Sequence, residues 1–182
     1  MKFALINDLH FGVRGDSPIF IKHQAEFFTK IFFPYLKENG IKTIVNLGDT
    51  FDRRKYINFL SLKESKDFFF SKIAEEDIDY HMITGNHDTF HTNTNDTNSI
   101  GLLLREYPKF HIYEKEPVEL TFDSVKVLLC PWVAKDNADM FFKAIKSSKA
   151  VVVGGHFDII GFDMMKGMPS THGFERKLFE GC

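Results

Sequence analysis

Four apolar runs in this 182-residue chain each end in a short polar cluster. The pairs are Phe3 to Ile6 before Asp8 and His10, Thr43 to Leu47 before Gly48, Asp49 and Asp52, Tyr80 to Thr84 before Gly85, Asn86, His87 and Asp88, and Ala150 to Val153 before Gly155 and His156. Short apolar runs bounded by polar residues are typical of buried strands. Ligands of an open α/β sheet bind beyond the carboxyl ends of its strands. We therefore expect the four clusters to converge on one place.

Helical periodicity fills the intervals between these strands. The spacing predicts helices over about Phe20 to Asn39, Phe59 to Glu76, Asn98 to Tyr107 and Asp136 to Ser147, strands over His111 to Tyr113, Val118 to Phe122 and Lys126 to Leu129, an irregular loop or flap over Ile159 to Gly173, and the start of a helix over Phe174 to Phe179. Pro34, inside the first helical pattern, predicts a kink or a split. The alternation predicts an α/β fold of layered β-sheets flanked by helices, parallel early in the chain and mixed later.

The length and composition bound the other properties of the molecule. A chain of 182 residues that is 43% hydrophobic can bury one core, so we expect a single domain over residues 1–182. The 21 phenylalanines are expected to fill the layers between sheet and helices, and some of them to form a face for self-association. The formal charge of −2 provides no global basic field, so any contact with nucleic acid must come from a local patch.

Cysteine use and hydropathy predict the compartment. Cys130 and Cys182 lie far apart and form no C-x-x-C pair, which argues against a disulfide scaffold or a thiolate zinc site. The apolar run before Asp8 is too short for a signal-peptide core, and no stretch approaches the ~18 apolar residues of a membrane span. We therefore expect a cytoplasmic protein without membrane contact.

A pocket of Asp, His and Asn side chains suits Mn²⁺, Fe²⁺, Zn²⁺ or Co²⁺ better than Ca²⁺. Each cluster alone also has a purely structural interpretation. Strand alternation places Asp8 and His10 on one face, yet a surface pair would look the same. Gly48-Asp49 could be a turn whose aspartate caps a helix, and Gly85-Asn86 could be a simple turn. His156 could be a hydrogen-bonded core histidine.

In this order, the clusters resemble the calcineurin-like metallophosphoesterase family, whose pattern is Asp-x-His, Gly-Asp-x-x-Asp, Gly-Asn-His-Asp or Glu, Gly-His and Gly-His-x-His. The second cluster, Gly48 to Arg53, is similar to the nuclease branch exemplified by Mre11 and SbcD. Pro131-Trp132 and the stretch from Gly155 to Met168 look like the nuclease subunit of bacteriophage recombination endonucleases. The fifth block is absent from the chain. The resemblance therefore implies a metallophosphoesterase-like sandwich, truncated and incomplete at the C-terminus.

The resemblance implies two divalent metals. Asp8, His10 and Asp49 would hold one, and Asp49, Asn86 and His156 the other, with Asp49 bridging. Two such cations activate a water and stabilise both the attacking and the leaving oxygen of an in-line displacement. Mn²⁺ is the metal favoured by the resemblance, with Mg²⁺, Fe²⁺, Zn²⁺ and Co²⁺ as alternatives. Partial occupancy is expected, because the absent Gly-His-x-His block would supply one histidine to each metal.

The neighbouring residues receive roles from the same resemblance. His87 would contact the phosphate and act as general acid toward the leaving oxygen. Asp88 would orient a neighbouring imidazole. Arg53, Arg54 and Lys55 form a cationic run that could contact DNA phosphates, although a solvated loop has the same composition.

The function implied is a metal-dependent DNA nuclease that hydrolyses phosphodiester bonds by two-metal activation of water. It would work with an SMC-like ATPase in recombination or repair and could form a homodimer through helices near the site. Two alternatives stay open. The lack of net positive charge favours a phosphodiesterase or phosphatase for small molecules. The absent fifth block favours a catalytically incomplete domain that serves binding or dimerisation, and it makes the activity of this chain doubtful.

Overall fold

The computed structural model describes residues 2–180, and two sheets form its centre. The first sheet consists of the parallel strands β1 (Ala4–Ile6), β2 (Thr43–Asn46), β3 (Asp79–Ile83) and β4 (Phe110–Tyr113), in that order. In the second sheet, β5 (Val118–Phe122) pairs antiparallel with β6 (Val125–Cys130), which pairs parallel with β7 (Val152–Gly155). The predicted α/β fold, parallel early and mixed later, is confirmed.

Helices cover the sheets. They are α1 (Val13–Asp16), α2 (Pro18–Phe27), α3 (Phe33–Glu38), α4 (Phe59–Ser65), α5 (Ser71–Glu75), α6 (Ser99–Leu104) and α7 (Ala138–Ser147), with π-helical turns at Phe28–Phe32 and Lys66–Phe70 that join α2 to α3 and α4 to α5. A small hairpin of β8 (Asp163–Met165) and β9 (Met168–Pro169) and a 3₁₀ turn at Arg176–Phe179 complete the described chain. None of the helices within residues 2–180 has the length and apolarity needed to cross a bilayer.

Three apolar layers hold these elements together. Ile44, Tyr80 and Met82 of the first sheet pack against the helices α2 to α5. On the opposite face of that sheet, Val45 and Ile83 pack against the second sheet. The outer face of the second sheet packs on α7. The buried apolar residues of β2 and β3 thus face a packed layer on each side of the first sheet, as central parallel strands require.

Phenylalanines fill the layer between the helices and the first sheet, as predicted. Phe28 and Phe69, one from each π-helical turn, have ring centroids 4.5 Å apart. A π turn is wider than an α turn, so consecutive side chains are separated by a smaller angle. Phe68, Phe69 and Phe70 can therefore all be buried. Pro34 stands in the first turn of α3, directly after the π-helical turn Phe28–Phe32 that separates α2 from α3. The helical pattern is therefore split near Pro34, as predicted, although the backbone stays helical across the π turn.

Several sequence-based boundaries were wrong. The third predicted helix corresponds to α6 and ends at Leu104, before the predicted Tyr107. The predicted loop over Ile159 to Gly173 contains the β8–β9 hairpin, and the predicted helix over Phe174 to Phe179 is a 3₁₀ turn. Cys130 is buried, whereas Cys182 lies outside the described residues, so the prediction about their pairing stays a prediction.

A stacked histidine pair between the sheets predicts acid sensitivity. The His81 and His111 rings lie 4.5 Å apart on β3 and β4, and His81 Nδ1 is 3.0 Å from the Tyr113 hydroxyl. Phe122 of the second sheet packs against His81, and Asp79 faces His111. Burial first, and then the neighbouring His111, lower the pKa of His81 from 6.5 to about 4, while Asp79 opposes the shift.

The unfolded chain therefore binds a proton at His81 at a higher pH than the folded chain does. Stability is fully present above pH 6.5 and is lost as the pH falls through the interval down to about 4. We expect this group to contribute a loss of about 1–2 kcal/mol after allowance for solvent screening. Urea unfolding between pH 7.5 and 4.5 measures it. His81→Gln, which keeps a partner for Tyr113 but cannot titrate there, should flatten the profile, and an unchanged slope would refute the assignment.

Candidate metal centre

The carboxyl ends of four strands bring the predicted residues into one pocket. The loops after β1, β2, β3 and β7 carry Asp8 and His10, Asp49 and Asp52, Asn86 and His87, and His156. The backbone joins these loops directly. Asp8 N–H donates to Gly48 O at 3.1 Å, and His10 N–H donates to Asp49 O at 3.0 Å. The four polar clusters therefore converge in one pocket, as expected.

Left-handed backbone, not strand alternation, directs the first two side chains. β1 ends at Ile6, and Asp8 and His10 have φ values of 53° and 44°. Asp49 also has a positive φ, of 54°. The prediction that Asp8 and His10 share one face of a strand is thus wrong. Non-glycine residues in this region cost of order 1–3 kcal/mol each, and such strain clusters at functional sites because the surrounding structure must hold it.

Two glycines allow the second and third loops to touch. A Cβ on Gly48 would lie 2.7 Å from the Gly85 backbone. A Cβ on Gly85 would lie 2.2 Å from both the backbone nitrogen and Oδ1 of Asp49. The loops can approach this closely only without side chains at these positions.

Gly85→Ala should consequently displace Asp49 and lower the free energy of unfolding by about 3 kcal/mol, the upper range for overpacking. Gly40→Ala is the matched control. Gly40 has a φ of +63° but open space around it, so only backbone strain of about 1–2 kcal/mol is expected there. Urea denaturation of both variants measures the difference. Equal losses would mean that the close contact is not limiting.

Asp49 is shared by two sets of potential metal ligands. One set is His10, Asp49 and His87, the other is Asp8, Asp49 and His156, and within each set the ligand atoms all lie within 4.8 Å of one another. His10 Nε2 lies 3.5 Å from both Asp8 Oδ1 and Asp49 Oδ2. The structure thus brings together the first predicted set of Asp8, His10 and Asp49.

Asp49 is the buried centre of this arrangement, with 3% of its surface exposed. Oδ1 accepts the backbone N–H of His87 at 2.8 Å, and Oδ2 lies 3.4 Å from His156 Nε2. Burial raises the pKa of Asp49, but His156 and the His87 amide outweigh it, so the net pKa lies below its usual value. The carboxylate is therefore ionised at neutral pH.

The second predicted set also meets. His156 Nδ1 lies 3.1 Å from Leu47 O, and since a carbonyl oxygen only accepts, Nδ1 carries the hydrogen. This leaves Nε2 of the neutral ring as an acceptor, 2.8 Å from Asn86 Oδ1 and beside the Asp49 carboxylate. Burial lowers the pKa of His156, yet Asp49 raises it more. Three acceptor atoms converging in this way fit a cation.

Asp52 holds His87 and lies close to His10, which the sequence did not predict. Its backbone oxygen accepts from His87 Nδ1 at 2.6 Å, so His87 keeps Nε2 for the pocket. Its carboxylate lies 3.5 Å from His10 Nδ1, a buried atom without a hydrogen-bond partner in the described structure. The second aspartate of Gly-Asp-x-x-Asp was visible as a motif. Which of its atoms would face a histidine was not.

Asp88 does not have the predicted role. Its Oδ1 accepts the backbone N–H of Thr50 and Phe51, and its Oδ2 accepts that of Gly85. Within residues 2–180 these amides, and no imidazole, are its hydrogen-bond partners, so the prediction that Asp88 orients an imidazole is wrong. Burial raises the pKa of Asp88 to about 7, with Asp49 adding to the rise and the amides opposing it. Asp88 joins the β2 and β3 loops.

The cationic run is only partly available for ligands. Arg53 donates a hydrogen bond to the Asp16 carboxylate at 2.8 Å, and its guanidinium lies over the Tyr56 ring. Arg54 Nε donates to Asn86 O at 2.8 Å, which places its guanidinium beside the pocket. Lys55 is exposed and lies 5.7 Å from the centre of the Phe90 ring. Arg54 and Lys55 are thus better placed than Arg53 for an added phosphate.

The donor set fits divalent cations. It combines carboxylate and amide oxygens with imidazole nitrogens, which suits Mn²⁺, Fe²⁺, Zn²⁺ and Co²⁺. The Nδ1 atoms of His156 and His87 are hydrogen-bonded to backbone oxygens. This arrangement orients imidazole ligands in metalloproteins. Asp8 has 47% of its side chain exposed, so the pocket opens to solvent at that corner.

Comparison with known proteins gives a consistent picture. Residues 1–178 match the family model described as calcineurin-like phosphoesterase. Exonuclease subunit 1 of Enterobacteria phage T4 is 34% identical over 175 residues, which is 96% of this chain and 50% of that protein. The chain therefore spans about half the length of this curated relative.

The solved structures that resemble the chain include two enzymes. One is the nuclease MPE of Pseudomonas putida, with a TM-score of 0.42, 15% identity and coverage of 69% of this chain and 52% of that one. The other is an archaeal phosphodiesterase, with a TM-score of 0.43, 16% identity and coverage of 84% and 70%.

Proposed function

Because this chain belongs to the calcineurin-like phosphoesterase family, we propose that it is a metal-dependent nuclease that hydrolyses phosphodiester bonds in DNA. The observation that carries the proposal is the buried Asp49 carboxylate, which belongs to both ligand sets. The relative named an exonuclease subunit supports DNA as the substrate class. Since the chain spans half of that relative, the proposal concerns the chemistry of this pocket.

Asp8, His10, Asp49, Asn86 and His156 would hold two cations, and we favour Mn²⁺. A cation pair supplies an activated water and stabilises charge on the phosphoryl oxygens. Mn²⁺ accepts both oxygen and imidazole ligands, which matches the mixed donors of this pocket. Asp49 would contribute to the binding of both cations, because its carboxylate is common to both sets.

The protein residues around the pocket have separate tasks. His87, with Nδ1 fixed by Asp52 O, presents Nε2 to donate a proton to the leaving oxygen. Arg54 is tied to the Asn86 backbone and so brings positive charge beside the substrate phosphate. Asp88 holds the β2 and β3 loops in register through its amide contacts.

Hydrolysis of linear single-stranded and duplex DNA with Mn²⁺, compared with EDTA, tests the proposal. Thermal unfolding with and without Mn²⁺ gives a second readout, because a ligand that prefers the native state must raise the melting temperature. Turnover of bis-p-nitrophenyl phosphate without cleavage of DNA would instead select a small-molecule phosphodiesterase. Failure in both assays together with a metal-independent melting temperature would select a catalytically incomplete binding domain.

We also propose partners for this chain. The word subunit in the relative's name supports assembly with a second protein, for which we propose an SMC-like ATPase acting in recombination or repair.

A second copy of the chain would cover the apolar surface near the β3 loop, where Phe59 and Leu102 are 88% and 74% exposed. We expect Phe59→Asp to convert a dimer into a monomer in sedimentation velocity, with Phe162→Asp, at an exposed site in the β8–β9 region, leaving the dimer intact. A monomeric native chain would contradict this.

A further inference from the structure

Trp132, the single tryptophan of the chain, lies beside the metal centre. Its ring centroid is 6.2 Å from that of His156, at an interplanar angle of 67°. His156 belongs to one of the two ligand sets with Asp49. The indole is thus in ring contact with a residue of one ligand set.

Backbone contacts hold this residue in place on all sides. Trp132 N–H donates to Thr84 O at 2.8 Å, and its carbonyl accepts the side-chain amides of Asn95 and Asn137 at 2.8 and 3.1 Å. The indole Nε1–H donates to Thr92 O at 3.1 Å. The only polar atom of the side chain is therefore satisfied within the protein, while the side chain stays partly exposed.

A rigid, partly exposed indole has an apolar face available at little cost in conformational entropy. Nucleobases stack on such rings in proteins that bind single strands, and stacking tolerates any sequence because every base has a π-face. A base inside a duplex is already stacked on both sides, so it must leave the helix to reach the ring. An indole at a phosphodiester-cleaving pocket therefore selects for unpaired nucleotides.

We propose that Trp132 is the platform on which an unpaired nucleobase next to the scissile phosphate stacks. This inference rests on the proposed nuclease function. Trp132 is a specificity-determining residue in this scheme and takes no part in proton transfer. The competing explanation is that the indole serves only as packing beside His156.

Oligonucleotides with and without bases separate the two explanations. Fluorescence anisotropy of a labelled single strand, and of the same strand with abasic residues, gives dissociation constants for the native chain, Trp132→Phe and Trp132→Leu. Stacking predicts that Trp132→Leu weakens binding of the base-carrying strand by about 5- to 100-fold and leaves binding of the abasic strand unchanged. Trp132→Phe should retain most of the affinity. Tyr35→Leu, at an exposed aromatic position on α3, is the matched control and should change neither constant.

The intrinsic tryptophan fluorescence of the native chain gives an independent signal, because Trp132 is the only tryptophan in the sequence. The base-carrying strand should quench it and the abasic strand should not. The proposal would be overturned if Trp132→Leu weakened binding of the base-carrying and the abasic strand equally, or weakened binding of neither. Binding with base-dependent quenching but without Mn²⁺-dependent cleavage would refute the nuclease function alone, whereas cleavage without base-dependent quenching would refute the platform alone.

Discussion

Replacing Asp49 by asparagine is expected to abolish Mn²⁺-dependent hydrolysis together with the stabilisation by Mn²⁺. The substitution keeps the volume of the side chain and an oxygen that can accept the His87 N–H, so the fold should survive. It removes the one negative charge common to both ligand sets. Losing several kcal/mol of charge stabilisation in the transition state corresponds to roughly a thousandfold lower rate.

The metal readout does not depend on catalysis. Saturation at a hundred times the dissociation constant stabilises a protein by about 2.7 kcal/mol, and this gain should vanish in Asp49→Asn. Asp96→Asn is the matched control, because Asp96 is an exposed carboxylate paired with Lys115 outside the pocket. A full rise in melting temperature in Asp49→Asn would show that cations bind elsewhere.

The position of the site could be predicted because it depends on topology. Parallel strands of one sheet end at one edge, so residues that follow β1, β2 and β3 come together there. His156 follows β7 of the second sheet, so its place beside Asp49 depends on how the two sheets pack. The local directions could not be predicted. Asp8 and His10 face the pocket through left-handed backbone, which Asp and His adopt rarely enough that alternation was the better expectation.

Roles that depend on a single backbone atom were also beyond the sequence. Asp88 and Asp52 are both aspartates of recognised motifs, yet the carboxylate of Asp88 bonds amides while the carbonyl of Asp52 bonds His87. A residue pattern records side-chain types and says nothing about which carbonyl points at which ring. The π-helical turns also escaped prediction. Phe28 and Phe69, one from each turn, pack against each other, and local propensity carries no information on such a long-range contact.

Replacing His87 by alanine should lower the rate of DNA cleavage by about 10²- to 10⁴-fold, the usual contribution of a general acid. The native imidazole has Nδ1 bound to Asp52 O, so Nε2 is the atom that can give a proton to the leaving oxygen. A nitrophenolate leaves without protonation, whereas a deoxyribose oxygen does not. His87→Ala should therefore lose far less activity toward bis-p-nitrophenyl phosphate than toward DNA, and added imidazole should restore part of the DNA cleavage.

The same geometry permits a different role, because His87 also belongs to the set formed with His10 and Asp49. A metal ligand would make both substrates suffer equally and would reduce the rise in melting temperature caused by Mn²⁺. If His87 is a general acid, His87→Ala keeps the Mn²⁺-dependent rise in melting temperature. The loss of rate is then larger for the substrate with the more basic leaving group. His91→Ala, an exposed histidine on the neighbouring loop, should change neither measurement. Parallel losses on both substrates in His87→Ala would assign the imidazole to the metals.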